Sequence, residues 1–487
     1  MSYLSLNFVV FVAILAFLYY ILPVKLRSGV LLLASLFFYA LFDFRYLIFL
    51  IFTAFTTFLA ARIVNKVKAK KILVGTVIIL NAAVWFAIKE LPWVLTTSSR
   101  ALNLFGIDWT APTLSFIVPI GISYFTLQAI AYLVDVLKQK FPCERNFFKY
   151  LLFLSWFPAI VQGPISRYNE LMPQLLNTNR FSYENTRRSL VLLLFGLIKK
   201  MVIADRLGIL VNYCFGNFKD LSGIVLYVGA IAYSIQLYAD FSGCVDFCRG
   251  ISGLFGVNLV HNFNRPYLSL SIKEFWSRWH ISLSSWLKDY IYIPLGGNRK
   301  GKFRKYINII ITFFVSGMWH GAGLNFLVWG LMHAIYQIIG DMTASFRGKF
   351  KRFIGVNKGS TSEKIYQMFI TFHLVLFAWI FFRSGGMLNG IEYIKNMLCS
   401  FNPWVLMDGT LFTYGLSQNF AILLIAHIVI LFFIEHRFAK QENVIEGILN
   451  SHLILRWIIY LILIFDVLLF GVYGTGYSIS SFMYGGF

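Results

Sequence analysis

His320 stands in the run Ser316-Gly317-Met318-Trp319-His320-Gly321-Ala322-Gly323. It follows Lys305 by 15 residues, and Lys305 closes the basic run Arg299, Lys300, Lys302, Arg304, Lys305. At about 1.5 Å per helical residue, that places the imidazole about 22 Å along a helix, deep within a hydrocarbon core of about 30 Å. An ionisable group at that depth is costly and marks function by default. Gly317 and Gly321 form a G-xxx-G pair, which lets a second backbone come close. A neutral imidazole held there can take a proton from a hydroxyl, the chemistry of a general base. The competing role is a core histidine hydrogen-bonded to a neighbouring helix.

His280 lies in Phe275-Trp276-Ser277-Arg278-Trp279-His280-Ile281-Ser282-Leu283-Ser284, a stretch too polar to face lipid. It reads either as the wall of a cavity open to the cytoplasm or as an interfacial aromatic helix with Arg278 reaching to the headgroups. His333 reads as a packing histidine. His373 falls mid-span, and His427 and His436 occupy ordinary helix or interface positions. No two histidines stand at i and i+4, and no Cys or His/Glu pair has ligand spacing, so a metal centre is not expected. Gly296-Gly297-Asn298-Arg299-Lys300-Gly301-Lys302-Phe303 imitates a phosphate-binding loop. Phe303 replaces the Ser or Thr that binds Mg²⁺, and no strand precedes it. It reads as a basic cytoplasmic turn.

These residues need a membrane to hold them. Of 487 residues, 58% are hydrophobic, 18% aromatic and only 13% charged. Soluble domains carry about 25% charged residues, so soluble, disordered and collagen-like classes are excluded. The net charge of +22 comes from basic clusters between apolar runs. That is the positive-inside pattern, not a nucleic-acid surface. Apolar stretches at Leu4–Leu22, Ser28–Phe42, Tyr46–Ala61, Ile72–Leu91 and Leu114–Val136 read as spans. Arg62, Lys66, Lys68, Lys70 and Lys71 mark the cytoplasm and put the N-terminus outside. Two short spans, Tyr306–Gly323 and Leu324–Ile339, form a hairpin between basic clusters. Ile365–Phe382, Phe420–Ile434 and Leu455–Tyr473 follow, and Pro92–Pro112 and Arg383–Asn419 read as outside loops.

Phe147–Val161, Ser189–Ala204 and Trp276–Leu295 are broken by proline, lysine or polar residues. Such backbone is tolerated at membrane depth only inside protein or beside a water-filled cavity. They read as re-entrant or interfacial helices. The expected fold is therefore an all-α polytopic membrane protein with about 10–12 transmembrane helices.

Four blocks carry a family resemblance: Pro119–Val136, Gln162–Leu175, Trp276–Asn298 and Ser316–His333, joined by the later Trp379-Ile380-Phe381-Phe382-Arg383. With them the chain resembles the membrane-bound O-acyltransferase (MBOAT) family, in the bacterial branch of alginate O-acetyltransferase membrane subunits. The resemblance implies a ring of helices around a thin, funnel-shaped core. It divides the chain into N-terminal helices at 1–112, a catalytic core at 113–385, and C-terminal helices with an aromatic tail at 386–487. It maps the family's invariant histidine to His320 and the second to His280. Trp276, Trp279 and Trp319 would then wall a substrate tunnel. Asp289, with Lys288, would position a donor or form an exposed ion pair.

The implied reaction is acetyl transfer from a cytoplasmic thioester, with acetyl-CoA as donor substrate and no bound cofactor, to hydroxyls of an extracellular polysaccharide. An extracytoplasmic acetyltransferase-like partner would complete transfer. The implied location is a bacterial inner or plasma membrane. A D-alanyl transferase for teichoic acid, fed by a carrier protein, is the alternative within the class, and a transporter the alternative outside it. The tail Ser480–Phe487 reads as an interfacial aromatic anchor, or, by its resemblance to the family's terminal aromatic motif, makes Tyr484 a candidate transient acyl carrier.

Overall fold

A computed structural model describes residues 1–177, 179–437 and 441–473. Among them every regular element is a helix and none is a strand. Six helices among the described residues are long and apolar enough to cross a membrane: Tyr46–Ile63, Lys70–Lys89, Gly223–Leu254, Thr361–Arg383, Gln418–His436 and Leu453–Phe470. Leu6–Ile21 and Ile122–Leu137 are apolar but shorter. The tail from Gly474, with Tyr484, lies outside the described residues.

The chain forms two compact units. The first holds Met1–Leu193 and Cys244–Val260. Its core is aromatic. Tyr3 stacks on Phe38 with ring centroids 5.3 Å apart and donates its hydroxyl to the Phe157 carbonyl at 2.8 Å. The span read at Leu114–Val136 starts as a helix only at Ile122. Gly121 opens it at φ +80°, and a Cβ there would stand 2.2 Å from the Ile160 carbonyl oxygen. Only glycine accepts both that backbone and that approach. The Phe147–Val161 stretch is a helix to Ser155 alone. It then turns through Trp156-Phe157-Pro158, buried throughout, with Trp156 Nε1 donating to Ser252 Oγ at 3.1 Å. This is the buried irregular backbone expected there.

The second unit holds Leu194–Gly243 and the described residues from His261 onward. Its centre is a hairpin of Gly301–His320 and Leu324–Met342. Gly317 and Gly330 bring the two backbones together. A Cβ on Gly317 would meet the Phe326 carbonyl oxygen at 2.6 Å, and one on Gly330 the Phe313 oxygen at 2.4 Å. Gly321 instead faces the Phe326 ring, so the tight crossing uses one member of the G-xxx-G pair. At the hairpin's open end Lys305 Nζ and Tyr306 Oη both donate to Asp341, at 2.8 and 3.0 Å. Thr361–Arg383 packs beside the hairpin, where Trp379 stacks on Trp329 at 5.7 Å.

Three stretches differ from the sequence reading. Most of Pro92–Pro112 belongs to the helix Leu91–Leu104. Arg383–Asn419 contains the helix Met387–Cys399, which buries Gly390, Tyr393 and Met397 along one face. Low charge marked these segments as loops, but a short helix needs only one apolar face. The third difference is the 32-residue helix Gly223–Leu254, absent from the spans read above. Asp240, Asp246, Gln236 and several serines interrupt its apolar run, and all of these are buried.

Candidate active site

His320 is the last residue of its helix, at the apex of the hairpin. The chain turns through Gly321-Ala322-Gly323 before the return helix starts at Leu324. By helical rise the apex stands about 28 Å from Gly301, the far end from the basic cluster. His320 is 2% exposed. Its ring lies 4.8 Å from Trp329 at 88°, 4.9 Å from Trp319 and 5.3 Å from Phe382.

His280 occupies a break between two short helices, Ile272–Arg278 and Ile281–Leu287. Its backbone is left-handed, at φ +44° and ψ +55°. A side chain in that region costs about 1–2 kcal/mol, and such strain persists only where the surroundings impose it. Asn262 imposes it here. Its carbonyl accepts from the Ile281 N–H at 3.0 Å, and its Oδ1 accepts from the Ser282 N–H at 2.9 Å. Asn262 thereby caps the second helix and fixes where the chain breaks. The His280 ring is wholly buried, 4.7 Å from Phe241 and 6.0 Å from Trp319.

Trp319 thus touches both histidines. Trp276 and Trp279 join the same aromatic cluster through Trp329 at 5.7 Å and Trp379 at 5.1 Å. All five site residues drawn from the two histidine motifs therefore come together. Asp289 is half-buried on the π-helical turn Lys288–Tyr292.

Trp329, Trp379 and Phe382 stand in the blocks that carry the family resemblance but are not among the site residues read from the sequence, and Phe241 lies outside those blocks. One signal was available: Trp329 and His333 stand at i and i+4, which puts them on one helix face. The sequence reading also passed over Asp240. Lys200, on the π-helix Ile198–Ala204, sends Nζ to Asp240 at 2.7 Å and to Asp205 at 2.8 Å. The lysines that seemed to interrupt Ser189–Ala204 are buried, and Lys200 is neutralised by a carboxylate from the overlooked helix. The next residue along that helix, Phe241, is the one that packs against His280.

Residues 123–353 match the MBOAT, membrane-bound O-acyltransferase family, a stretch that includes both histidines. The chain is 36% identical over 401 residues to a peptidoglycan O-acetyltransferase of Helicobacter pylori, covering 76% of this chain and 73% of that one. It is 32% identical over 433 residues to a probable alginate O-acetylase of Pseudomonas aeruginosa, covering 87% and 79%. It is 29% identical over 286 residues to a teichoic acid D-alanyltransferase of Bacillus subtilis, covering 54% and 68%. Sequence and helical architecture agree: this multi-pass chain belongs to the membrane-bound O-acyltransferase family and is a membrane-bound acyltransferase.

Proposed function

We propose that the chain moves an acetyl group from a cytoplasmic thioester, acetyl-CoA, toward hydroxyls of an extracellular polysaccharide, with His320 as general base. The observation that carries this reading is the buried pair of histidines joined by Trp319, one at the apex of a hairpin rooted in a basic cluster. The acceptor hydroxyl gives its proton to neutral His320 as its oxygen attacks the carbonyl carbon, and the carbonyl π electrons move onto oxygen. When the tetrahedral intermediate collapses, the C–S bond breaks, and the departing thiolate takes the proton back from His320. The balance needs no other reactant. His280 orients the acyl group or donates to its oxygen.

The relatives named for peptidoglycan and alginate acetylation support a cell-surface glycan as acceptor. Delivery to a polymer outside the cell fits an inner or plasma membrane location and an extracytoplasmic acetyltransferase-like partner. The D-alanyltransferase relative favours a second reading, with a D-alanyl carrier protein as donor. Proteoliposomes given acetyl-CoA or a D-alanyl carrier, with alginate or peptidoglycan fragments as acceptors, separate the two. His320→Ala is expected to abolish transfer while detergent stability stays near wild type. Retention of a tenth of wild-type activity would remove His320 as the base.

A further inference from the structure

Beside His320 lies a second cluster of polar ring atoms. His333 is wholly buried, and neither of its ring nitrogens has a hydrogen-bond partner among the described residues. The indole nitrogens of Trp276, 7% exposed, and Trp329, fully buried, are likewise without one. The three rings form a triangle with centroid separations of 5.0 Å for Trp276–His333, 5.2 Å for Trp329–His333 and 5.7 Å for Trp276–Trp329. Phe275, Phe313 and Trp379 enclose His333 at 6.1–6.3 Å. Leaving four polar atoms unsatisfied in an aromatic core is expensive, and such atoms in native proteins are met by ordered water or a bound group, or serve a catalytic role.

The chemistry of the set says what would complete it. Each indole nitrogen only donates, and a neutral imidazole donates once and accepts once. Three N–H donors therefore stand against one acceptor. Water would use two donors and the acceptor and leave one of its own protons without a partner. A carbonyl oxygen accepts from two of the donors, and an oxyanion, with three lone pairs, accepts from all three. Trp329 is shared with the proton-accepting site, its ring 4.8 Å from His320. Acyl transfer builds negative charge on the carbonyl oxygen, and preorganised donors in a dry site are the strongest means of stabilising it.

We propose that Trp276, Trp329 and His333 form a neutral donor box that binds the carbonyl oxygen of the acyl group, with Trp329 as a catalytic residue donating to the developing oxyanion. This assignment rests on the acyl-transfer reading and adds the group that holds the oxygen. As the acceptor oxygen bonds to the carbonyl carbon, the C=O π pair moves to the oxygen in the box. It returns to re-form C=O as the C–S bond breaks.

The test is made on the full-length protein in detergent, with acetyl-CoA carrying a ¹³C carbonyl as probe. Trp329→Phe keeps an aromatic ring and removes the N–H. It is expected to lower kcat at least about tenfold with KM changed less than twofold. In a His320→Ala background, the infrared carbonyl stretch of bound probe is expected to lie below its value in water, and to rise when Trp329→Phe is added. Trp276→Phe gives the same two readouts should Trp329→Phe fold poorly. Two results would overturn the box: kcat within twofold of wild type in both tryptophan variants, or a carbonyl stretch unmoved by either. A box that holds only water gives that outcome, together with a raised thermal midpoint in His333→Phe. Activity surviving in His320→Ala defeats the base assignment instead, and the carbonyl stretch still reports on the box.

Discussion

Gly317→Ala adds one methyl group where the two hairpin helices touch. The new Cβ would stand 2.6 Å from the Phe326 carbonyl oxygen and 3.3 Å from the Leu327 Cα. Ordinary contact begins at 3.4 Å, so the helices must separate by close to 1 Å. Both obstacles are backbone, and no rotamer change relieves them. Overpacking of this kind costs about 1–3 kcal/mol, and alanine returns about 1 kcal/mol as the better helix former. The net loss of stability is therefore about 0–2 kcal/mol, which leaves the fold intact. Activity is more sensitive. His320 sits three residues beyond Gly317, at the apex that the separation moves. Misplacing a catalytic group by 1 Å can cost about 10²-fold. The expected result is a stable variant with acyl transfer lowered about 30- to 100-fold, measured in proteoliposomes beside a thermal melt in detergent. Gly75→Ala is the control, because a Cβ there meets nothing within 4 Å. It should keep full activity and gain up to about 1 kcal/mol. If Gly317→Ala transfers acetyl within twofold of wild type, close backbone contact does not set the position of His320.

Lys200→Met removes the ammonium that pairs with Asp240 and Asp205 and should cost about 3–5 kcal/mol, whereas adding Asp240→Leu should recover most of it; a single variant within 1 kcal/mol of wild type in a detergent melt would refute the pairing as a structural lock. Lys302→Cys, in a background lacking Cys143, Cys214, Cys244, Cys248 and Cys399, should react with an impermeant thiol reagent only in inverted vesicles, and labelling in intact cells would reverse the topology. Tyr484→Phe keeps an aromatic tail and removes one hydroxyl. A relay through that hydroxyl requires polymer acetylation to be lost, and full acetylation would eliminate it.

What the sequence made legible depended on how each signal was carried. His320 was found from its distance to a basic cluster, a one-dimensional quantity that a helix converts directly into depth. The break at His280 was less direct. The polar run Trp276–Leu295 announced backbone that could not face lipid, but the left-handed residue was set by Asn262, 18 residues upstream. No local pattern reports a cap supplied from that far away. The donor box is less legible still. Trp276 and Trp329 are 53 residues apart, and only the packing of Ile272–Arg278 against the hairpin brings the Trp276 indole to the helix face that carries Trp329 and His333.

The overlooked helix Gly223–Leu254 fails in the opposite way, because its chemistry hid its structure. A hydropathy reading treats Asp240 as evidence against a span. In the fold Asp240 answers Lys200, so the two residues that most weaken their own segments as spans are a buried pair, 40 residues apart. Each charge is prohibitive alone and tolerable together, which makes the pair a condition on the two helices rather than on either one. That condition bears on the site. Asp240 locks the helix to the π-helical turn, and the adjacent Phe241 packs on His280. The register of the lock therefore sets where one wall of the histidine site stands. A strained backbone at His280 and a costly ion pair on neighbouring supports are what a fold retains when position matters more than stability.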